Sequence, residues 1–390
     1  MAAESKRGHD APIQRRAFLG AAAAGAVGAA GTLAGCSGPV GEGGGPAVQT
    51  RPTVMWRMAS SFPRTLDALY GAAERLSQRL AVLTENRFQV RPYPAGELVP
   101  GLQVMDAAQQ GTVQVGHTPA YYYTGKNAAL AFDTGVPFGL TARQQDAWLY
   151  QGGGLELMQE VFSDFGIVTV PAGNTGAQMG GWFKREVNTA ADLRGLRMRI
   201  PALGGDVMNR LGVTVQVLAG GDIYPALERG AIDATEWVGP YDDEKLGFHD
   251  AAKNYYYPGW WEPGPSMSFM INRAAWDRIP SEYQEAFRAA ALYAGTHTLT
   301  IYDTQNPQAL ERLVAKGVML RRFSPEIMRA ARTAATEILE ENAARDAMYR
   351  RIYDQWKDFR DASHRWFATA EQAYADFAYG SASNAGAGAG

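Results

Sequence analysis

The chain of 390 residues contains one cysteine, Cys36, and this limits how the folded part can be stabilised. A disulfide needs two cysteines, and a structural thiolate metal site normally needs several. The 355 residues after position 35 are enough for two ordinary domains or one large one. We therefore expect a fold that is held together by packing alone.

Residues 1–35 have the organisation of an export signal. Arg15-Arg16 precedes a charge-free stretch at 17–35, which ends in small residues directly before Cys36. This order is typical of a secretory signal peptide, and the twin arginine favours the route for folded proteins. We predict a twin-arginine lipoprotein signal peptide at 1–35 and a protein anchored in the periplasm through lipid on Cys36. The alternative is a membrane-spanning helix, which the Ala- and Gly-rich composition disfavours.

The remainder alternates strand-like and helix-like segments. Val54–Met58 is predicted to be a strand, the apolar spacing over 66–83 predicts a helix, and 88–91 alternates as a strand again. Such a rhythm is typical of α/β folds. Helices are predicted from Ser324-Pro325 to about residue 378. They carry an apolar stripe that packs either on the protein's own body or on a second copy of the chain: Met348, Ile352, Trp356 and Phe359.

The composition and motifs do not favour a nucleic-acid-binding protein, a zinc protease or a serine hydrolase. The net charge is −3, or −5 without residues 1–35, and no basic stripe points to nucleic acid. The five histidines are scattered, and neither the zinc-protease motif nor the serine-hydrolase elbow is present. We interpret His117 as a structural residue.

Aromatic and acidic residues are concentrated between Thr235 and Glu262. The segment contains three tryptophans and two glutamates: Trp237, Trp260, Trp261, Glu236 and Glu262. Aromatic walls with a few fixed charges are typical of small-ligand pockets. The alternative is that these aromatic side chains fill the core.

Four motifs resemble the DctP-type substrate-binding proteins of TRAP (tripartite ATP-independent periplasmic) transporters. They are the segments 193–201 (LRGLRMRIP), 223–234 (IYPALERGAIDA), 236–243 (EWVGPYDD) and 256–262 (YYPGWWE). The last two resemble the branch that binds 2-oxo acids together with a metal cation. The resemblance covers about residues 52–370. It implies an α/β, two-lobe periplasmic-binding-protein fold with hinge strands and a helical C-terminal region.

Composition and resemblance together predict the organisation of the chain. A flexible Gly/Pro-rich tether is expected at 36–51 and a disordered tail at 381–390. Between them, the resemblance implies lobe I at 52–172, completed by parts of 268–323, lobe II at 173–267, and C-terminal helices at 324–380 that pack on the lobes or on a second subunit.

The resemblance also assigns residues to the ligand. Arg199 takes the role of the arginine that clamps a carboxylate, which suits its planar, permanently charged fork. Arg197 lies two residues earlier on the same predicted strand face, so spacing alone leaves both open. Tyr122 is expected to contact the ligand from lobe I, with Tyr121 and Tyr123 as alternatives.

A cation site is implied by the same branch of the family. Gln178, Glu236 and the carbonyl of Trp237 match its ligands, and Glu262 is a weaker candidate. All of these donors are oxygens, which suit Na⁺, or alternatively Ca²⁺, and the absence of His and Cys argues against zinc or copper.

The resemblance implies a solute receptor rather than an enzyme. It would bind a pyruvate-like 2-oxo monocarboxylate and deliver it to the small and large membrane subunits of a TRAP transporter. Two alternatives are an exported metal-dependent enzyme acting on small carboxylic acids, with Glu236 or Glu262 as its base, and a sensor that contacts a signalling partner. A receptor for lactate or another 2-hydroxy acid is a third.

Overall fold

A computed structural model describes residues 51–386, with side chains through residue 380. The predicted signal peptide, Cys36 and the tether up to residue 50 lie outside these residues. Among the described helices, none has both the length and the apolar character needed to cross a membrane.

Two β-sheets form the framework. The first has the strand order β2 (Phe88–Tyr93), β1 (Val54–Ser60), β3 (Val115–Thr118), β10 (Ser266–Asn272) and β4 (Ile167–Asn174). The second has the order β11 (Met319–Arg322), β9 (Asn254–Tyr257), β5 (Trp182–Phe183), β8 (Ala234–Thr235), β6 (Arg197–Arg199) and β7 (Thr214–Gln216). In the first sheet β1 pairs in parallel with β2 and β3, whereas β10 is antiparallel to β3 and β4.

Helices connect and cover the strands. They are α1 (Leu69–Leu83), α2 (Val104–Gln109), α3 (Ala131–Thr134), α4 (Ala142–Gln151), α5 (Gly154–Ser163), α6 (Ala202–Arg210), α7 (Gly220–Glu228), α8 (Pro240–Leu246), α9 (Phe248–Ala251), α10 (Arg273–Trp276), α11 (Ser281–Ala315), α12 (Pro325–Arg345), α13 (Ala347–Phe367) and α14 (Ala373–Gly386). The 35-residue α11 is the longest of them and packs against α1, β4 and α8. The predicted α/β class is confirmed.

Two neighbouring strands carry the chain between the sheets. β4 leaves the first sheet at Asn174 on its way to β5, and the chain returns at Ser266, which is the register partner of Asn174. The Asn174 side chain donates a hydrogen bond of 2.8 Å to the Gly264 carbonyl and ties the two crossings together. These crossings are the predicted hinge strands. They pack closely on α11, where a side chain at Gly173 would collide with the backbone of Gly295.

The C-terminal helices begin where the sequence predicts. The Ser324 hydroxyl accepts a hydrogen bond from the Ile327 amide, and proline stands at the first position of α12. Ile352 and Trp356 of the apolar stripe are buried, and Trp356 packs on Phe132 with ring centroids 5.6 Å apart. The stripe therefore packs on the protein's own body.

The last helix differs from the prediction for the end of the chain. α14 continues to Gly386 and so enters the segment 381–390, for which we expected no structure. Two alanines in this segment, Ala382 and Ala385, have high helix propensity and favour the extension. The residues after 386 lie outside the described part.

Candidate ligand-binding site

The site lies at the carboxyl ends of two parallel strands. Arg199 is the last residue of β6, and Glu236 directly follows β8. β6 and β8 pair in parallel with Arg199 opposite Thr235, so both strands end at the same edge of the sheet. This edge is where ligands bind in many open α/β sheets.

The Arg199 side chain is only 1% exposed, and its guanidinium group contacts four other residues. One guanidinium nitrogen forms an ion pair with Glu236, and Nη2 lies 3.3 Å from the hydroxyl of Tyr122. Nε donates a 3.1 Å hydrogen bond to the carbonyl of Leu218, and the guanidinium lies 5.1 Å from the ring centroid of Trp237. These contacts hold the fork in one orientation.

Arg197 lies outside this environment. Its side chain is 44% exposed and forms a two-pronged pair with Asp233, with contacts of 2.7 and 3.0 Å. The strand separates the two arginines along its length, because Arg197 begins β6 and Arg199 ends it. Only Arg199 therefore reaches the ligand edge of the sheet.

Tyrosines from the first lobe complete the opposite wall. Tyr121 and Tyr122 stand on a short 3₁₀ turn after β3, with their rings 5.0 Å apart. Tyr121 donates a hydrogen bond of 3.4 Å to Glu262, while Tyr122 contacts Arg199. Tyr123 instead lies within 3.0 Å of the Thr118 hydroxyl, away from the site.

Gln178 and Glu262 belong to segments that pack on one another. The Gln178 amide donates to the Glu262 carbonyl at 3.2 Å, and its side-chain nitrogen donates to the Thr175 hydroxyl. Its side-chain oxygen, Oε1, is buried and has no hydrogen-bond partner among the described residues. Gly259 permits this contact, because a Cβ there would lie 2.6 Å from the Gln178 carbonyl oxygen.

The cavity between these groups is small, with a volume of about 10 Å³. This is room for about one water molecule. Its lining contains five of the predicted residues: Tyr122, Gln178, Arg199, Glu236 and Trp237. It also contains Tyr121, which we named as an alternative to Tyr122, and four residues that we did not predict: Phe62, Leu69, Val238 and Met267. The apolar members look like ordinary core residues in the sequence, which carries no signal for them. Glu262 adjoins the cavity through Tyr121.

Burial dominates the electrostatics of the acidic groups. Burial raises the pKa of Glu236, and the Arg199 guanidinium opposes this rise. Burial also raises the pKa of Glu262 well above its ordinary value, and the nearby Glu236 carboxylate raises it further. Burial works against the charge of Arg199, but Glu236 and the tyrosines more than offset it and raise the Arg199 pKa. One buried cation thus faces two buried carboxyl groups.

The donor set fits a hard cation better than a transition metal. Within residues 51–386, no three His, Cys, Asp or Glu side chains cluster as a metal site. The candidates are instead two carboxyl groups, the Trp237 carbonyl and the unpartnered Oε1 of Gln178. Buried oxygen donors of this kind suit Na⁺ or Ca²⁺.

The aromatic cluster divides between the site and the core. Trp237 lines the cavity, and Gly220 makes room for its ring. Trp261 packs on Phe323 and Trp260, outside the cavity lining. Tyr255 and Tyr256, in the same stretch of sequence, are core residues too: Tyr255 stacks on Trp182, and Tyr256 stacks on Phe323. The aromatic side chains of this segment are therefore divided between the lining of the cavity and the core.

Comparison with known proteins gives a consistent result. The profile of the DctP family, described as bacterial extracellular solute-binding protein, family 7, matches residues 59–346. The chain is 56% identical over 327 residues to the monocarboxylate 2-oxoacid-binding periplasmic protein of Nostoc sp. (strain PCC 7120). That alignment covers 84% of this chain and 90% of the Nostoc protein.

Solved structures with the same fold contain ligands and cations. A TRAP solute-binding protein from Bordetella bronchiseptica, a dimer with calcium and picolinate in one active site, is 45% identical with a TM-score of 0.85. It covers 86% of this chain and all of its own. A periplasmic TRAP protein from Pseudoalteromonas atlantica, with sodium and pyruvate, is 37% identical with a TM-score of 0.81, over 83% and 99% of the two chains.

Proposed function

Because the chain belongs to family 7 of the bacterial extracellular solute-binding proteins, we propose that it is the extracytoplasmic receptor of a TRAP transporter. Its ligand is a short 2-oxo monocarboxylate such as pyruvate, bound with Na⁺ or Ca²⁺ between the lobes. The ligands of the Nostoc, Bordetella and Pseudoalteromonas proteins support this choice. The observation that carries it is the fully buried pair of Arg199 and Glu236 at the sheet edge.

Arg199 and Glu236 must separate when a ligand binds, because the cavity beside this ion pair is too small to hold a ligand. Arg199 then donates two parallel hydrogen bonds to the ligand carboxylate, in place of the single contact that its Nη1 makes with Glu236. Glu236 is left without its cationic partner, and a buried unpaired carboxylate is costly. A cation held by Gln178, Glu236, the Trp237 carbonyl and Glu262 would supply the missing positive charge.

The 2-oxo group explains selectivity for the acid. A carboxylate oxygen and the neighbouring oxo oxygen can together bind one hard cation, whereas a simple acid offers only the carboxylate. Tyr122 lies beside Arg199 and is placed to contact the same carboxylate from the opposite lobe. Contacts of the ligand with both lobes favour the closed arrangement. In this function the protein binds and releases the acid without making or breaking a covalent bond.

Titration calorimetry with pyruvate tests this function. The protein is first dialysed against chelator in potassium buffer and then titrated alone, with Na⁺, and with Ca²⁺. We expect tight binding only when Na⁺ or Ca²⁺ is present. Lactate and propionate serve as comparisons for the 2-hydroxy and unsubstituted acids. Equal binding of pyruvate and propionate, or full binding without either cation, contradicts the proposal.

The location and partners follow from the same function. We propose that Cys36 carries lipid, which keeps the receptor at the membrane that holds the small and large TRAP subunits. A single acyl chain binds membranes weakly, so the anchor must carry several. Intact-mass analysis of membrane-extracted protein should give a chain that starts at acylated Cys36, and a soluble form that starts elsewhere argues against the anchor.

A dimer is a further proposal. The Bordetella protein is a dimer, and α13 and α14 expose four aromatic side chains that a second copy could cover: Trp366, Tyr374, Phe377 and Tyr379. Sedimentation of the protein with Trp366→Glu and Phe377→Glu should give a monomer where the parent sequence gives a dimer. A monomeric parent protein contradicts this arrangement.

A further inference from the structure

A second pocket, with a volume of about 480 Å³, adjoins the cleft cavity. It is bounded by the loop at 137–139, the segment 258–263, α12 and α13, and we call it the outer pocket. Pockets of this volume commonly bind small molecules. Gln178 lines both the outer pocket and the cleft cavity, so the two spaces are neighbours.

One wall of the outer pocket is flat and aromatic. The rings of Phe138 and Trp260 stack with centroids 5.2 Å apart and an angle of 11° between their planes. A backbone hydrogen bond of 2.8 Å from Phe138 to Trp260 fixes the pair. Trp260 is only 3% exposed, whereas Phe138 is partly exposed, so Phe138 is the ring of this pair that a ligand in the pocket can contact.

The facing helices provide positive charge. Arg332, Lys357 and Arg360 line the pocket with a single carboxylate, Asp361. Lys357 pairs with Glu340 at 3.2 Å, and Arg360 pairs with Asp361 at 2.6 Å.

Of the three basic residues that line the outer pocket, Arg332 is the one that forms no ion pair with any described residue. His364 also lines the pocket, and its Nε2 lies 3.2 Å from the carbonyl oxygen of Gly139. Burial lowers the pKa of His364, and the positive charges of Arg360 and Arg332 lower it further. The pocket therefore combines a net positive charge with a flat apolar wall.

We propose that the outer pocket binds a small organic monocarboxylate with a flat apolar body. The carboxylate pairs with Arg332, and the body lies against the ring of Phe138, which stacks on Trp260. Unlike the site proposed for the cleft, this site needs no metal cation. Its ligand therefore needs no metal-coordinating oxygen next to the carboxylate. The inference does not rest on the ligand proposed for the cleft.

Benzoate is a suitable probe because it has a flat body and lacks a donor atom beside its carboxylate. Calorimetry is carried out on the unmodified protein and on Arg199→Ala, in which the cleft is disabled. We expect one equivalent of benzoate to bind both proteins with similar affinity. Arg332→Gln should weaken this binding at least about tenfold through loss of a charge-assisted hydrogen bond.

Two controls separate this site from a nonspecific one. Arg329→Gln changes an arginine on the same helix that does not line the outer pocket, and it should leave benzoate binding unchanged. Benzamide, which is neutral and of the same shape, should bind at least about tenfold more weakly than benzoate. Equal binding of benzamide, or unchanged binding in Arg332→Gln, overturns the proposal.

The cleft and the outer pocket fail in different ways. Loss of benzoate binding in Arg199→Ala, with retention in Arg332→Gln, would place benzoate in the cleft and overturn the proposal. Absence of saturable binding at millimolar benzoate would overturn it as well. Arg332→Gln should bind pyruvate with the same affinity as the unmodified protein. The pyruvate titration therefore tests the proposed function of the cleft separately from the benzoate site.

Discussion

At the scale of single residues, the site holds an imbalance of charge in a dry environment. Arg199 contributes one positive charge, while Glu236 and Glu262 are two acidic groups within the same buried region. A ligand carboxylate adds a third. Since an unpaired buried charge is strongly unfavourable, the cleft can close on an anion only with further positive charge or a proton.

Arg199→Ala should abolish measurable ligand binding. Loss of one member of a buried ion pair costs about 3–5 kcal/mol, which is roughly two to three-and-a-half decades in affinity. Arg199→Lys should recover only part of it, because an ammonium group lacks the two-pronged geometry. Calorimetry measures both, with thermal unfolding to verify that each variant folds. Arg197→Ala is the control, and a larger loss there than at Arg199 would contradict the assignment.

Glu236→Gln should weaken the cation and the ligand together. The amide keeps the size of the side chain but removes the charge that a bound cation would balance. We expect the Na⁺ or Ca²⁺ concentration that gives half-maximal pyruvate binding to rise at least about tenfold, on the scale of a lost charge-assisted hydrogen bond. Glu244→Gln, which affects a carboxylate paired with Arg312 at the surface, is the matched control. An unchanged cation requirement in Glu236→Gln would remove Glu236 from the cation site.

At the scale of elements, helix α8 joins the ligand segment to the rest of the fold. Asp242 accepts a 2.7 Å hydrogen bond from Tyr302 on α11, and Asp243 accepts one of 2.7 Å from Tyr255 on β9. Trp182 on β5 donates a further hydrogen bond of 2.9 Å to Asp243. The ligand residues directly before α8 are therefore held by a buried acidic pair.

This pair makes stability depend on pH. Burial raises the pKa of Asp243 to about 7 from its ordinary value of 3.8, and hydrogen bonds from Tyr255 and Trp182 only partly oppose the rise. The folded protein thus keeps a proton that the unfolded chain loses, and the stability present below pH 4 is lost as the pH rises through about 7. Buried His117, whose pKa burial lowers to about 3, acts in the opposite direction below pH 6.5.

Asp243→Asn should therefore stabilise the protein relative to the parent at pH 8 and much less at pH 5. The difference should be of the order of 2–4 kcal/mol at the higher pH, since each unit of pKa difference corresponds to about 1.4 kcal/mol. Urea unfolding at both pH values measures it. Asp250→Asn, at an exposed position, is the control. A pH-independent difference between parent and Asp243→Asn would show that this carboxyl is ionised throughout.

At the scale of the whole molecule, a contact at the surface links the two lobes. Asp67, two residues before α1, forms an ion pair with Lys245 of α8 and accepts a 3.0 Å hydrogen bond from the Tyr241 hydroxyl. α1 packs on the first sheet, whereas α8 continues from β8 of the second. The contact thus favours the closed arrangement over an open one, in which the partners would be apart.

Asp67→Asn should speed ligand release with little effect on the fold. An exposed ion pair contributes about 0.5–1 kcal/mol, which corresponds to a two- to fivefold increase in the dissociation rate of pyruvate. High salt should reduce the difference between parent and variant. Stopped-flow fluorescence measures the rates, with Glu74→Gln, whose partner Arg64 lies in the same lobe, as the control. Equal release rates would mean that the contact does not bias closure.

The sequence by itself determined which segments carry the candidate cleft residues and the class of the fold. The Arg-Ile-Pro and Glu-Trp-Val-Gly-Pro motifs are local, and they place Arg199 and Glu236 at or just after strand ends. The strand starts at Val54 and Phe88, the helix start at Ser324 and the α/β class follow from patterns within a few residues of one another, which is why they could be predicted. The site roles of these residues remain predictions for the experiments above.

Only the tertiary structure decided which groups meet. Arg197 and Arg199 look alike in the sequence, and the parallel register of β6 with β8 alone takes one to Asp233 and the other to Glu236. Tyr121 meets Glu262 across 141 positions of chain. Such contacts arise from the packing of two sheets and α11, and no local pattern records them, since their energy depends on segments that are distant in sequence.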